Sequence, residues 1–66
     1  MDPSIDDLAI ARLHRERLAA MVEEQAARVQ RLKHHGIDNA NSERLLELLQ
    51  ESLRLLDEFI QRRLGH

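Results

Sequence analysis

The second half of the chain carries two adjacent lines of apolar residues at helical spacing. The first line alternates intervals of three and four residues, as the seam of a heptad does: Leu46, Leu49, Leu53, Leu56 and Ile60. The second line runs beside it: Leu45, Leu48, Leu55 and Phe59. Because a helix with one neighbour needs an apolar stripe only about 100° wide, this pattern predicts a helix with more than one partner.

The first half of the chain has a weaker helical pattern. Its best seam mixes aliphatic residues with alanine and two polar positions: Leu8, Ala11, Arg15, Leu18, Val22, Gln25, Val29 and Leu32. Alanine lets helices approach closely but buries little apolar area. The first helix is therefore predicted to cover only part of the apolar surface of the second.

Gly36 marks the end of the first predicted helix, which spans about residues 3–35. Glycine is the residue that adopts the left-handed conformation after a helix without a clash at Cβ. Ile37 follows at the position where a Schellman motif places an apolar contact back to the helix, here to Leu32. These signals agree on one helix boundary.

The connection between the two helices is short. The second helix is predicted over about residues 40–64 with Asp38 or Asn39 as its N-cap, so the turn covers 36–39. A connection of this length makes the two helices antiparallel neighbours. The predicted fold is all-α, a single antiparallel two-helix hairpin over residues 1–66.

The two predicted helices differ in length, about 48 Å against about 37 Å at a rise of 1.5 Å per residue. The first turns of the longer helix would then extend past the shorter one. Three apolar side chains in those turns are expected to lack cover within the chain: Ile5, Leu8 and Ile10. A second copy, another protein or water would have to meet them.

The length of the chain is a further reason to expect association. A chain of 66 residues buries only about 60% of its unfolded surface, and without cysteine no disulfide can compensate. We expect two hairpins to form a homodimeric four-helix bundle, with a complex with a different protein as the alternative. The expected dimer or partner interface consists of Ile5, Leu8, Leu46, Leu48, Leu49, Leu53, Leu55, Leu56, Phe59 and Ile60.

The composition excludes several classes of function. The sequence has no cysteine, no glycine-rich phosphate loop and no acid–base pair, so we predict no catalytic site, cofactor or metal. No apolar run approaches the roughly 18 residues of a membrane span, and the N-terminus lacks a basic region before an apolar core. We therefore expect a cytoplasmic protein without a membrane partner.

Two polar residues occupy seam positions in the first helix. Gln25 is predicted near Leu49 and Gln50, either as a polar layer that sets helix register or with its amide at the solvent edge. Arg15 is predicted near Ile60. It would either join a buried ion pair with Asp57 or Glu58, mark an opening towards a partner, or keep its charged group in water.

The basic residues near the turn allow two interpretations. Arg28, Arg31 and Lys33 form a patch that could bind RNA phosphates, or a solvated helix surface. The net charge of −2 gives no overall attraction for nucleic acid, and no aromatic residue accompanies the patch for base stacking. His34 and His35 point about 100° apart on a helix, so we expect them to complement the helix dipole and not to bind metal.

Two segments carry a resemblance to a known group. VQRLKHHGID at residues 29–38 and RLLELLQESL at 44–53, with Gln25 upstream, resemble short helical-hairpin proteins frequent in alphaproteobacteria. The resemblance covers roughly residues 22–58, with Gly36 and Asp38 in the turn. It implies the hairpin architecture only. The architecture is also similar to that of the Rop-type RNA-binding hairpin dimer.

These observations favour a non-enzymatic interaction module. The hairpin is expected to self-associate through its Leu-rich second helix and to act as an adaptor or regulator of a partner protein. The alternative is a Rop-like RNA-binding homodimer that uses Arg28, Arg31 and Lys33.

Overall fold

The computed structural model describes the backbone of residues 3–65 and the side chains of residues 7–65. Over this range the chain forms two α-helices, α1 (Pro3–His34) and α2 (Ala40–Leu64), which pack against each other along their length. The all-helical hairpin is thus confirmed. It is long and thin, with Cα extents of 52 × 17 × 14 Å. Neither described helix combines the length and apolarity needed to cross a membrane.

The end of α1 is a Schellman motif centred on Gly36. Gly36 has a φ of 67°, and its N–H donates to the carbonyl of Lys33 at 3.0 Å. The Ile37 N–H donates to the carbonyl of Leu32, also at 3.0 Å, so two carbonyls of the last turn are satisfied. The Ile37 side chain is 54% exposed. The predicted apolar contact with Leu32 therefore contributes little beside the backbone bonds.

Asp38 and Asn39 share the start of α2. Asn39 occupies the N-cap position and its carbonyl accepts from the Glu43 N–H at 2.8 Å, but its side chain makes no capping bond. The Asp38 Oδ1 instead accepts from the Ala40 N–H at 3.1 Å. Both candidates for the N-cap are thus used, one through its backbone and one through its carboxylate.

The core between the helices is small. Only three apolar residues of the described part are nearly fully buried, namely Ala11, Val29 and Ile60 at 3–7% exposure. The other seam positions are half-buried: Leu8, Leu18, Val22, Leu32, Leu46, Leu49, Leu53 and Leu56. The predicted seam of α2 is therefore the side that the hairpin covers. Ile60 is covered within its own chain, at 6% exposure, and its predicted place at an interface with a second molecule stays a prediction.

The prediction that no part of the chain covers Leu8 is wrong. Arg63 Nη2 lies 3.4 Å from Asp7 Oδ2, so the end of α2 reaches the second turn of α1, and Leu8 is half-buried. The long arginine side chain extends α2 beyond its backbone, which a comparison of helix lengths does not include. Ile10 is 53% exposed, and the side chain of Ile5 lies outside the described residues.

Candidate interaction surface

One long side of the hairpin is bridged by ion pairs between the helices. Arg15 contacts Asp57, and Lys33 Nζ lies 2.9 Å from Glu43 Oε1. We call this the ion-paired side. Its charged groups satisfy each other across the helix–helix boundary.

The opposite long side is lined by exposed apolar residues from both helices. Met21 and Leu45 are 49% and 47% exposed and line one groove between the helices. Met21 also lines a second groove with Leu18 and Leu56, so the two grooves share this residue. We call this the open side. It is where the hairpin leaves apolar surface in water.

On the open side, α2 presents the second apolar line predicted from the sequence. Leu48, Leu55 and Phe59 are 60%, 52% and 43% exposed and continue the helical face of Leu45. With one small residue they form a heptad line that we call the outer seam: Leu45, Leu48, Ser52, Leu55 and Phe59. The Arg63 guanidinium lies 5.5 Å from the centroid of the Phe59 ring at the end of this line. The single chain thus leaves the second apolar line of α2 uncovered, as the wide apolar surface in the sequence predicts.

On the open side, α1 is mostly polar. The residues of α1 at the rims of the two grooves are His14, Arg17, Met21, Glu24, Arg28 and Arg31, together with smaller or deeper neighbours. Only Met21 among these six is apolar. The two helices therefore contribute different chemistry to the same side of the hairpin.

The predicted basic patch is divided between the two sides. Lys33 is held by Glu43 on the ion-paired side, whereas Arg28 and Arg31 line a groove on the open side. Neither arginine forms an ion pair within residues 7–65. Glu24 and Arg28, four residues apart on α1, form no ion pair in this part of the chain. The three basic residues do not form one continuous surface.

Gln25 is the one polar residue of the described chain that is nearly fully buried, at 8% exposure. Its Nε2 donates to the carbonyl oxygen of Ser42 at 2.9 Å. Leu49 lines the same groove, as predicted, but the polar contact is with Ser42, more than two turns closer to the connection than Gln50. The amide is thus inside the interface, and the expectation that it would reach the solvent edge is wrong.

Arg15 forms one of its predicted ion pairs, but in an exposed setting. Its partner is Asp57, and the two side chains are 46% and 41% exposed. Its predicted neighbour Ile60, one turn after Asp57, is buried at 6% exposure. Because the pair is solvated, it contributes no more than about 0.2–1 kcal/mol to stability. The prediction of a buried ion pair is therefore wrong for Arg15.

A charged network also covers the solvent face of α2. The Arg54 guanidinium contacts Glu51 through two nitrogens and Glu58 through a third, at 2.6 Å, and Arg62 Nη2 lies 3.6 Å from Glu58. The hydrogen bond from Arg54 lowers the pKa of Glu51, and that bond raises the pKa of Arg54. These groups are exposed and paired, so they stabilise the helix surface and form no reactive site.

His34 and His35 lie at the end of α1 with their ring centroids 5.6 Å apart and their planes at 79°. Across residues 7–65, no three His, Cys, Asp or Glu side chains come together as a metal-binding group. The absence of an enzyme, cofactor or metal function stays a prediction from the sequence.

Comparison with known proteins adds no relative. No family model, no curated protein and no solved structure matches the chain. The resemblance to short helical-hairpin proteins therefore stays a prediction, and function has to be argued from the hairpin itself.

Proposed function

We propose that this protein is a small non-enzymatic interaction module that self-associates through the open side of α2 into an assembly of four helices. The observation that supports this proposal is the outer seam. Its four large side chains are 43–60% exposed, while the described core holds only three nearly buried apolar residues. A chain this short gains much of its missing stability by covering such a surface.

The energetics favour cover over exposure for these side chains. Burying one Leu or Phe fully stabilises an assembly by about 1.5–3 kcal/mol. The four side chains are already about half covered in the single chain, so burying the remainder on two copies contributes roughly 6–12 kcal/mol. This gain is comparable to the roughly 4–15 kcal/mol that association costs. A dimer of micromolar affinity is the result that we expect.

The biological role that fits such a module is that of an adaptor or regulator. Two hairpins joined through α2 would keep both ion-paired sides and the polar rims of α1 on the outside, where a partner protein can contact them. The paired charges on those surfaces support recognition of a partner protein that carries complementary charges.

Sedimentation equilibrium tests self-association directly. Leu48→Glu and Leu55→Glu each place a charge in the outer seam, and we expect either to shift a micromolar dimer to monomer. Ile37→Glu is the matched control, because Ile37 is 54% exposed but lies in the turn, away from the seam. A monomeric unmodified protein at high micromolar concentration would exclude the proposal.

One observation keeps RNA binding as a second candidate. Arg28 and Arg31 line a groove and have no ion-pair partner in residues 7–65, so both guanidinium groups can meet phosphate. A gel shift with structured RNA at low salt is the test. Binding that Arg28→Glu abolishes and Arg12→Glu leaves intact would support it, and no shift at low salt would exclude it.

A further inference from the structure

We infer that two copies of this chain meet through an antiparallel contact between the outer seams of their α2 helices, with the two-fold axis near the middle of the seam. The inference rests on the proposed self-association and adds which helix forms the contact and in which direction. Three features of the described residues support it.

The first feature is the difference between the helices on the open side. The two grooves border three arginines, one histidine and one glutamate of α1 around Met21, and the exposed apolar residues Ile10 and Leu13 precede them along the helix. Packing α1 against a second copy would remove Arg17, Arg28 and Arg31 from water without partners, which is costly. None of the five positions that form the outer seam of α2 is charged. Contact through α2 alone avoids the penalty.

The second feature is the set of charges beside the outer seam. One flank of the outer seam carries three charged residues, each directly before a seam residue in the heptad: Arg44, Glu51 and Glu58. In an antiparallel pair of helices, this flank of one helix faces the same flank of the other. Arg44 then lies opposite Glu58 of the partner, and the pair occurs twice because the axis is two-fold.

A parallel pair would not use these charges. The flank that holds Arg44 would then face the positions of Leu49 and Leu56, which are already half-buried within the chain. Arg44 and Glu58 are two heptads apart, about 21 Å along a helix, so they could not meet in register. Within residues 7–65 Arg44 has no ion pair of its own, and the antiparallel contact supplies an opposite charge for it.

The third feature is the position of the small residue. Ser52 interrupts four large apolar residues at the centre of the outer seam. A small side chain near the axis lets two helices approach while Leu and Phe interlock on either side. Glu51, which would lie near its own copy at the axis, is already neutralised by Arg54 of the same helix.

A mixing experiment tests the charge arrangement. Arg44→Glu puts two acidic groups opposite each other in the antiparallel contact, and Glu58→Arg puts two basic groups there. We expect each variant alone to dimerise about tenfold or more weakly. An equimolar mixture should form a heterodimer near the original affinity, because both cross pairs are then of opposite charge. Failure of the mixture to recover affinity would overturn the antiparallel register.

Helical circular dichroism of each variant is the necessary control. Glu58 also contacts Arg54 and Arg62 in its own helix, so Glu58→Arg has an effect within the chain that Arg44→Glu lacks. If the mixture recovers its dimer affinity, the loss of contacts within the Glu58→Arg helix cannot be the reason, since each chain in the mixture still carries its own substitution.

Distances between spin labels test the direction independently. The chain has no cysteine, so a single cysteine at Asn41, Glu51 or Gln61 gives one label per copy. In the antiparallel contact, labels at Asn41 and at Gln61 are displaced by about 27 Å or more along the axis, and labels at Glu51, beside the axis, are much closer. Short distances at all three positions would overturn the antiparallel contact but keep the dimer. A protein with no measurable dimer would instead overturn the proposed self-association.

Discussion

Gln25 on α1 donates a hydrogen bond from Nε2 to the main-chain carbonyl of Ser42 on α2, at 2.9 Å. The donor residue is only 8% exposed. A buried amide that finds an acceptor at one position of the facing helix favours that register over a shifted one, since a shift would leave the amide unpaired. The two helices are thus aligned by a polar contact inside a thin apolar interface.

Gln25→Glu is predicted to destabilise the hairpin by about 1–3 kcal/mol, because an ionised carboxylate cannot donate to the Ser42 carbonyl and is itself buried. Thermal unfolding followed by circular dichroism at one fixed protein concentration measures the loss. Gln30→Glu makes the same change at an exposed position of α1 and is expected to stay within about 0.5 kcal/mol. Equal losses in the two variants would contradict the role of the hydrogen bond.

Gly36→Ala is predicted to cost about 1 kcal/mol, since Gly36 has a φ of 67° that a residue with Cβ adopts with strain. No atom lies within 4 Å of the Cβ that alanine would add, so the loss arises from the backbone alone. The midpoint of thermal unfolding should fall by roughly 4–8 °C. Gly36→Asn should lose less, because asparagine tolerates this conformation better, and a larger loss for Asn would argue against this explanation.

The ion pair between Arg15 and Asp57 is predicted to be weak. Both side chains are more than two-fifths exposed, so water and salt screen their attraction. A double-mutant cycle with Arg15→Met and Asp57→Asn should give a coupling free energy of about 0.2–1 kcal/mol that shrinks at high salt. A coupling that salt leaves unchanged would indicate that the pair is shielded from solvent.

The pKa of Glu51 is predicted to depend on Arg54. The hydrogen bond from the guanidinium lowers this pKa below its ordinary value of 4.5, so the pair stabilises the folded helix above about pH 4.5. That contribution disappears as the pH falls through the lower, folded pKa. An NMR titration should show the pKa of Glu51 rising towards 4.5 in Arg54→Met and unchanged in Arg44→Met. An unchanged pKa in Arg54→Met would show that the contact is absent in solution.

The details of the polar contacts were the part of the structure that sequence reasoning predicted least well. Leu8 was expected to be uncovered, but Arg63 reaches Asp7 and the end of α2 lies beside it. Gln25 was placed near Gln50 and instead bonds to Ser42. Both errors have one cause. Helix spacing locates Cα atoms to about a residue, whereas a long polar side chain can reach a partner one or more helical turns away.

The sequence by itself determined the two helices, the Gly36 turn and the two apolar lines of α2. Each of these depends on local backbone preference or on the 3.6-residue period, which neighbouring residues alone define. Only the tertiary structure decided how completely α1 covers the predicted seam and how far the outer seam stays exposed. That outcome depends on how α1 is rotated against α2, and the rotation follows from contacts between residues far apart in sequence. Arg15 with Asp57 and Lys33 with Glu43 bridge one side of the helix pair, and the outer seam lies on the other.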